Sequence, residues 1–329
     1  MPFDSGVITD PARGAIAATS LATVDPATGT ASEIRDGAVA WEDGVLTYVG
    51  PVDGLGGGVW AQGFDGCTIA PGFVDAHTHL PFVGWRADEF ETRLAGVSYR
   101  DLHGEGGIYR SARLLADADD DEVLAFCGPL VREMADLGTT ALELKTGYGL
   151  SVEAELRQAR LARRLADEAP QTCSVTLLAA HAVPHGMGRE AWVRLACDEL
   201  IPAAAADDLV DAVDVYVEDI AFTLDDLHAI AAAAARAGLP LRCHADQLGP
   251  SAAAEAAVAL GARSADHLNH VSAEGIGALA GTAATTAVLL PTSTFILRTT
   301  PPDARGLLDA GARVAIASDL NPGTSPIAS

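Results

Sequence analysis

The sequence predicts an α/β chain, a (β/α)8 TIM-like barrel preceded by a small N-terminal β-sandwich segment. Three observations carry this. From Cys67 onward, short apolar runs alternate with helical stretches, the mark of parallel strands joined by crossovers rather than by hairpins. Ionisable residues follow directly on almost every apolar run, as side chains at the C-terminal mouth of a barrel do. The first 65 residues follow a different pattern, rich in strand alternation and glycine. The expected domains are therefore 1–65, a partial β-sandwich, and 66–329, the barrel.

Residues 38–49 read as two strands, AVAWE and VLTYVG, joined by the hairpin signal Asp43-Gly44. Residues 15–24 alternate like a further strand, and 53–58 form a glycine-rich loop. The barrel strands are expected at 67–76, 139–144, 173–180, 212–217, 240–243, 262–266, 285–290 and 313–317. Helical patterns at 119–137, 152–168, 189–206, 224–237 and 252–260 lie between them. Ser151 and Thr223 are N-cap candidates, and Gly138 and Gly238 mark helix ends.

The net charge of −24 excludes nucleic-acid binding and attraction to anionic membranes, whose phosphates would be repelled. The N-terminus has no basic region leading into an apolar core, so it is not a signal peptide, and no apolar run is long enough to span a bilayer. Five scattered cysteines without a CxxC pair read as reduced thiols of a cytoplasmic protein. Lys145 is the only lysine beside 20 arginines, a bias that a GC-rich genome or adaptation to salt would each produce.

His77 and His79 close the first barrel strand, Lys145 the second, His181 the third and Glu218 the fourth. His244, His267, Thr292 and Asp319 close the remaining four. Most of the chain's histidines thus stand at strand ends. In Asp75-Ala76-His77-Thr78-His79 the two imidazoles at i and i+2 of an extended segment project to one side and can reach one ion. A pair of core histidines is the plainer reading of HxH alone, but His244 and Asp319 supply the missing donors. Imidazole nitrogen and carboxylate oxygen suit Zn2+ or Fe2+/Fe3+ and leave a position for water.

This pattern resembles the metal-dependent hydrolases of the amidohydrolase superfamily, and in finer detail the imidazolonepropionase family. The residues that carry the resemblance begin with 71–79, PGFVDAHTH, and 82–86, FVGWR, with Glu89, Phe90 and Arg93. They continue with ELKTGYGL at 143–150, HAVP at 181–184, HADQ at 244–247, DHL at 266–268 and SDLNPGTSP at 318–326. The resemblance implies hydrolysis of the cyclic amide of 4-imidazolone-5-propanoate to N-formimidoyl-L-glutamate, a step of histidine degradation. It implies one divalent metal ion on His77, His79, His244 and Asp319. Asp319 doubles as the base, and His267 assists at the attacking water or the carbonyl. Arg86 is expected to clamp the propanoate, since a planar, permanently charged fork suits a carboxylate. Tyr148, His181, Gln247, Asn321 and the backbone at Gly323 are expected to contact the substrate. Some relatives carry a carboxylate where Gln247 stands; an amide cannot take a proton, so the base role stays with Asp319. A homodimer is expected from the family alone, and a small anionic molecule is the expected partner.

Two rival readings are weighed against this one. Other cyclic-amide hydrolases and nucleobase deaminases share the metal set but lack KTGYGL and Arg86. An inactive barrel with a structural metal would need no substrate arginine or tyrosine. A carboxylated lysine bridging two metals typically follows strand four of such barrels, whereas Lys145 follows strand two, so a mononuclear site is expected. The chain departs from the family in Gly104-Glu105-Gly106-Gly107, where a glutamate interrupts a glycine cluster. It also stops directly after the strand-eight motif, so an incomplete chain with an uncovered barrel flank is expected.

Overall fold

The structure, a computed structural model, describes residues 12–25, 30–56, 61–97, 101 and 106–328. It divides into two units, Met1–Gly72 and Phe73–Ser329. In the first, β1 (Arg13–Val24), β2 (Ala31–Glu42), β3 (Val45–Pro51) and β4 (Gln62–Ile69) form one four-stranded sheet in the order β3-β2-β1-β4. The hairpin between β2 and β3 turns at Asp43 and Gly44, both at positive φ, as a tight turn requires. Strand β4 runs parallel to β1.

The stretch 67–76, predicted as one barrel strand, belongs to two elements. Thr68 and Ile69 pair with Ser20 and Leu21 in the first sheet, and the barrel begins at β5 (Phe73–Asp75). Pro71 separates them because it has no N–H to offer a ladder. The expected domain boundary after residue 65 therefore falls inside β4.

The second unit is the barrel. Its strands are β5, β6 (Thr139–Lys145), β7 (Thr172–Ala180), β8 (Ala212–Val217), β9 (Leu241–Ala245), β10 (Ser264–His267), β11 (Thr286–Leu289) and β12 (Val314–Ile316). Each pairs in parallel with its sequence neighbour, which places all eight C-terminal ends at one mouth. Between β5 and β12 the bonds come just past the strand ends. The Asp319 N–H donates to the His77 carbonyl (3.0 Å) and the His79 N–H to the Leu320 carbonyl (2.9 Å). The Asp75 carboxylate accepts the Ser318 N–H at 3.1 Å and ties the same two segments. Closing the ring thus brings the HxH motif beside Asp319.

Strands buried on both faces read as near-continuous apolar runs, and every residue of β8 is buried. The outward side chains of β5 and β12 differ: Phe73, Val74 and Ile316 are exposed. Helix Val152–Glu168 starts at the Ser151 cap, and helix Leu224–Arg236 at a Thr223–Asp226 capping box. The helix expected over 189–206 contains a π turn, Ala196–Leu200, just before Pro202, whose missing N–H cannot close an ordinary helical bond.

Candidate metal centre and substrate cleft

Charged residues interrupt the apolar strands at positions that face into the barrel. On β6 they are Glu143 and Lys145, on β8 Asp214, on β9 Arg242 and His244, and on β10 Asp266. Lys145 is fully buried, with its ammonium 2.8 Å from Glu143, 2.8 Å from Asp214 and 3.8 Å from Asp266. Burial alone would lower its pKa, but these three carboxylates outweigh it and raise the value, so Lys145 stays charged. Burial likewise works to raise Asp214, yet the neighbouring His244 and Lys145 hold it well below the usual carboxylate range. Burial dominates at Asp266 and pushes it up to about 6.

Above this charged layer the histidines converge. Asp266 lies 2.7 Å from His77 Nδ1, and Asp214 lies 3.0 Å from His244 Nδ1. An ionised carboxylate only accepts, so His77 carries its proton on Nδ1 and turns a bare Nε2 inward, while Asp214 faces His244 as an ion-pair contact. His77 Nε2 lies 3.4 Å from His79 Nε2 and 3.6 Å from Asp319 Oδ1, which is itself 3.2 Å from His79 Nε2. Both ring nitrogens of His244 are buried with no hydrogen-bond partner among the described residues. Lone pairs crowded together in this way suit a cation, and nitrogen and carboxylate donors suit a transition metal.

Two trios lie close enough to hold an ion, His77 with His79 and Asp319, and His77 with His244 and His267. All four expected ligands are therefore present, with His77 common to both trios and His267 as near as any. Burial pushes His77 well down, lowers His79 and takes His267 to about 3, so all three are neutral donors at pH 7. Burial would raise Asp319, but its bond to His79 and the neighbouring histidines lower it, leaving an ionised carboxylate. His267 and Asp319 have φ of +76° and +56°, left-handed conformations that cost side-chain-bearing residues energy and recur at functional sites.

A cleft opens onto this cluster. His79, His181, His244, His267 and Asp319 line it together with Arg86, Tyr148, Gln247 and Asn321. Arg86 is buried; its Nη1 donates to the Gly107 carbonyl (2.7 Å) and the Ser111 hydroxyl (2.5 Å), and Glu89 lies 3.2 Å from Nε. Gly104 and Glu105 of the interrupted glycine cluster lie outside the described residues. Asn321 reaches the cleft, but its Oδ1 accepts the N–H groups of Gly323 (2.9 Å) and Thr324 (2.7 Å). Its Nδ2 donates to the Asp319 carbonyl at 2.6 Å, so most of its amide shapes the loop.

Gly323 differs from expectation. Its N–H goes to Asn321, its carbonyl accepts from Arg93 (2.7 Å), and it does not line the cleft. What the glycine provides is room, because a Cβ there would collide with the Arg86 guanidinium. Thr292, expected at a strand end, lies on helix Pro291–Leu297 beside Ile316 and away from the cleft. Glu218 accepts the Leu248 N–H at 2.7 Å and braces the loop that carries Gln247.

Sequence reasoning quoted Glu143, Asp266 and Thr324 within motifs but gave them no role, and it missed Asp214 and Arg242 below the cluster and Tyr216 and Ile108 in the cleft wall. A signal existed for some of them, since one aspartate inside Ala212-Val213-Asp214-Val215 breaks an otherwise apolar strand.

The amidohydrolase family model matches residues 68–327. Barrel, buried histidine–carboxylate cluster and this match together define the class: the chain is an amidohydrolase. Within that class it belongs to the imidazolonepropionase family. The imidazolonepropionase of Rhizorhabdus wittichii is 43% identical over 302 residues, covering 90% of this chain and 75% of the relative. That of Polaromonas sp. is 43% identical over 299 residues (88% and 70%), and that of Xanthomonas campestris pv. campestris 40% over 314 residues (94% and 78%). Solved structures share the fold at lower identity. They include a triazine hydrolase variant (TM-score 0.68, 16% identity, 94% of this chain and 73% of that one). A guanine deaminase from C. acetobutylicum with bound guanine gives a TM-score of 0.65 at 16% identity (95% and 76%).

Proposed function

We propose that this chain opens the ring of 4-imidazolone-5-propanoate by hydrolysis, giving N-formimidoyl-L-glutamate in histidine degradation. The observation that carries the reading is one cleft with the Arg86 guanidinium on its wall and the His77, His79, His244 and Asp319 cluster at its base. A small anion with a hydrolysable ring fits that pairing of a fixed cation with a metal-type donor set. When bound at the cluster, a divalent ion such as Zn2+ or Fe2+ would acidify its water and polarise the ring carbonyl.

The chain's own residues supply the rest. Arg86 binds the propanoate with charge-assisted hydrogen bonds, and Glu89 and Ser111 hold the guanidinium in place. Tyr148, His181 and the Gln247 amide flank the ring, and Asn321 and Gly323 hold the wall against Arg86. Asp319, ionised and buried, takes the proton of the attacking water and delivers it to the departing ring nitrogen. Oxygen joins the carbonyl carbon, the C–N bond breaks and the nitrogen gains the proton, so atoms balance. His267, kept neutral by burial, hydrogen-bonds the water or the carbonyl.

Among the described residues no helix is long and apolar enough to cross a membrane, and we place the activity in the cytoplasm. Mass spectrometry of the reaction mixture tests the proposal. A product heavier than the substrate by one water, formed only with metal present, supports it; unchanged substrate with fully metallated protein refutes it.

A further inference from the structure

Two polar residues that face no substrate are buried completely enough to require a reason. Glu155 and Gln158 sit three positions apart on one face of helix Val152–Glu168, at 1% and 0% exposure. Burying a carboxylate and an amide is costly unless each is fully hydrogen-bonded. Here all but one of the bonds come from a single loop, 146–150, which carries Tyr148.

Glu155 accepts the N–H groups of Gly147 (3.0 Å), Gly149 (2.7 Å) and Leu150 (3.0 Å). Gln158 Oε1 accepts those of Gly147 (3.1 Å) and Tyr148 (2.9 Å), and its Nε2 donates to the Pro81 carbonyl (2.9 Å). Successive amides turned onto one anion form a backbone nest. Gly147, at φ +114°, supplies a conformation the turn needs, and a Cβ there would strike His181.

A trans peptide points its N–H and its C=O in opposite directions. The plane between residues 147 and 148 sends its N–H to Gln158, so its carbonyl points the other way. There it meets His181 Nδ1 at 3.0 Å. A carbonyl only accepts, so His181 carries a proton on Nδ1 and donates it to Gly147. His181 stacks on His79 with ring centroids 5.1 Å apart and lies 5.3 Å from Tyr148, and all three line the cleft.

We infer that Gln158, braced by Glu155, is a positioning residue: it fixes the 147–148 peptide plane, and through it the His181 tautomer and the seat of Tyr148. The consequence for substrate rests on the function proposed above. Tyr148 and His181 both line the cleft, so loss of the bond that seats them is felt as weaker substrate binding.

The test compares the zinc-loaded wild type with Gln158→Met, a change of similar length without polar atoms. Ring 15N shifts report the His181 tautomer, its signal identified by loss in His181→Asn. The wild type should show the Nδ1–H form, and Gln158→Met a mixture or the Nε2–H form. KM for 4-imidazolone-5-propanoate should rise roughly tenfold or more, with kcat within about threefold and zinc affinity, by chelator competition, unchanged. An Nε2–H wild type, or a folded Gln158→Met with wild-type tautomer and KM, overturns the inference. If Gln158→Met does not fold, Glu155→Gln carries the test: a threefold or greater KM rise at constant zinc affinity supports it, and a wild-type KM overturns it. If the wild type leaves the substrate intact, the proposed function fails while the tautomer comparison still decides this inference.

Discussion

Lys145 Nζ lies 2.8 Å from the Asp214 carboxylate oxygen that also stands 3.0 Å from His244 Nδ1. The same ammonium is 3.8 Å from the Asp266 oxygen that holds His77 at 2.7 Å. The chain's one lysine thus lies under both carboxylates that orient metal-facing histidines, and its charge lets them stay buried.

Replacing Lys145 with methionine should weaken metal binding by about 10–100-fold, the usual cost of losing support behind a ligand. It should also lower stability by about 3–5 kcal/mol, because buried carboxylates lose their counter-charge. Chelator competition and urea unfolding check the two effects separately. Wild-type metal affinity in a folded Lys145→Met would remove the assigned role.

Ion-paired to three carboxylates, Lys145 is poorly placed to become an anionic carboxylated bridge. Elemental analysis of metal-loaded protein should therefore give one equivalent per chain. Two equivalents, with carbon dioxide required for activity, would speak for a binuclear centre.

Gly323→Ala should imitate a lesion in Arg86, because its methyl group occupies the space of the guanidinium. Both Gly323→Ala and Arg86→Met should raise KM by about one to two orders of magnitude, the worth of a hydrogen bond to a charged group. Arg86→Lys should recover little, since a point charge lacks the fork. Steady-state kinetics decide, and a wild-type KM in Gly323→Ala would detach the loop from substrate binding.

Burial lowers His77, His79 and His267, the last to about 3, below the ordinary histidine value of 6.5. Between those values the unfolded chain binds protons that the fold refuses, so stability falls as pH falls. It is fully present above pH 6.5 and drains away toward pH 3. Asp266, raised to about 6, and Asp75, Glu155 and Glu218, also raised by burial, work in the opposite direction as the pH falls further, so the imidazole effect stands clearest just below pH 6.5. The urea midpoint of metal-free protein should hold near pH 7.5 and drop as the pH is lowered from 6.5 to about 5.5. A level or rising midpoint across that interval would contradict the burial of neutral histidines.

The barrel was legible because strands buried on both faces leave uninterrupted apolar runs, and because His77, His79, His244, His267 and Asp319 follow such runs directly. Periodicity could not separate β4 from β5, since apolar residues continue through both and only Pro71 divides them. The charged layer beneath the metal cluster stayed hidden for a related reason. Asp214 and Asp266 sit inside strands, and their pairing with Lys145 is a contact between distant segments that local pattern does not contain. Gly323 marked an important position, but only the geometry shows that it serves by leaving space for Arg86. Glu155 and Gln158 resemble ordinary surface residues of a helix until the loop they hold is seen.

The proposed ring opening turns on Asp319, at the base of a metal-type cluster, as the group that moves the proton. The most direct measurement is the ultraviolet loss of 4-imidazolone-5-propanoate with zinc-loaded protein, wild type beside Asp319→Asn. Turnover by the wild type, lost on chelation and reduced by about 10²–10⁴-fold in Asp319→Asn, is the predicted result. Turnover by Asp319→Asn close to that of the wild type, or none by fully metallated wild type, would contradict the account.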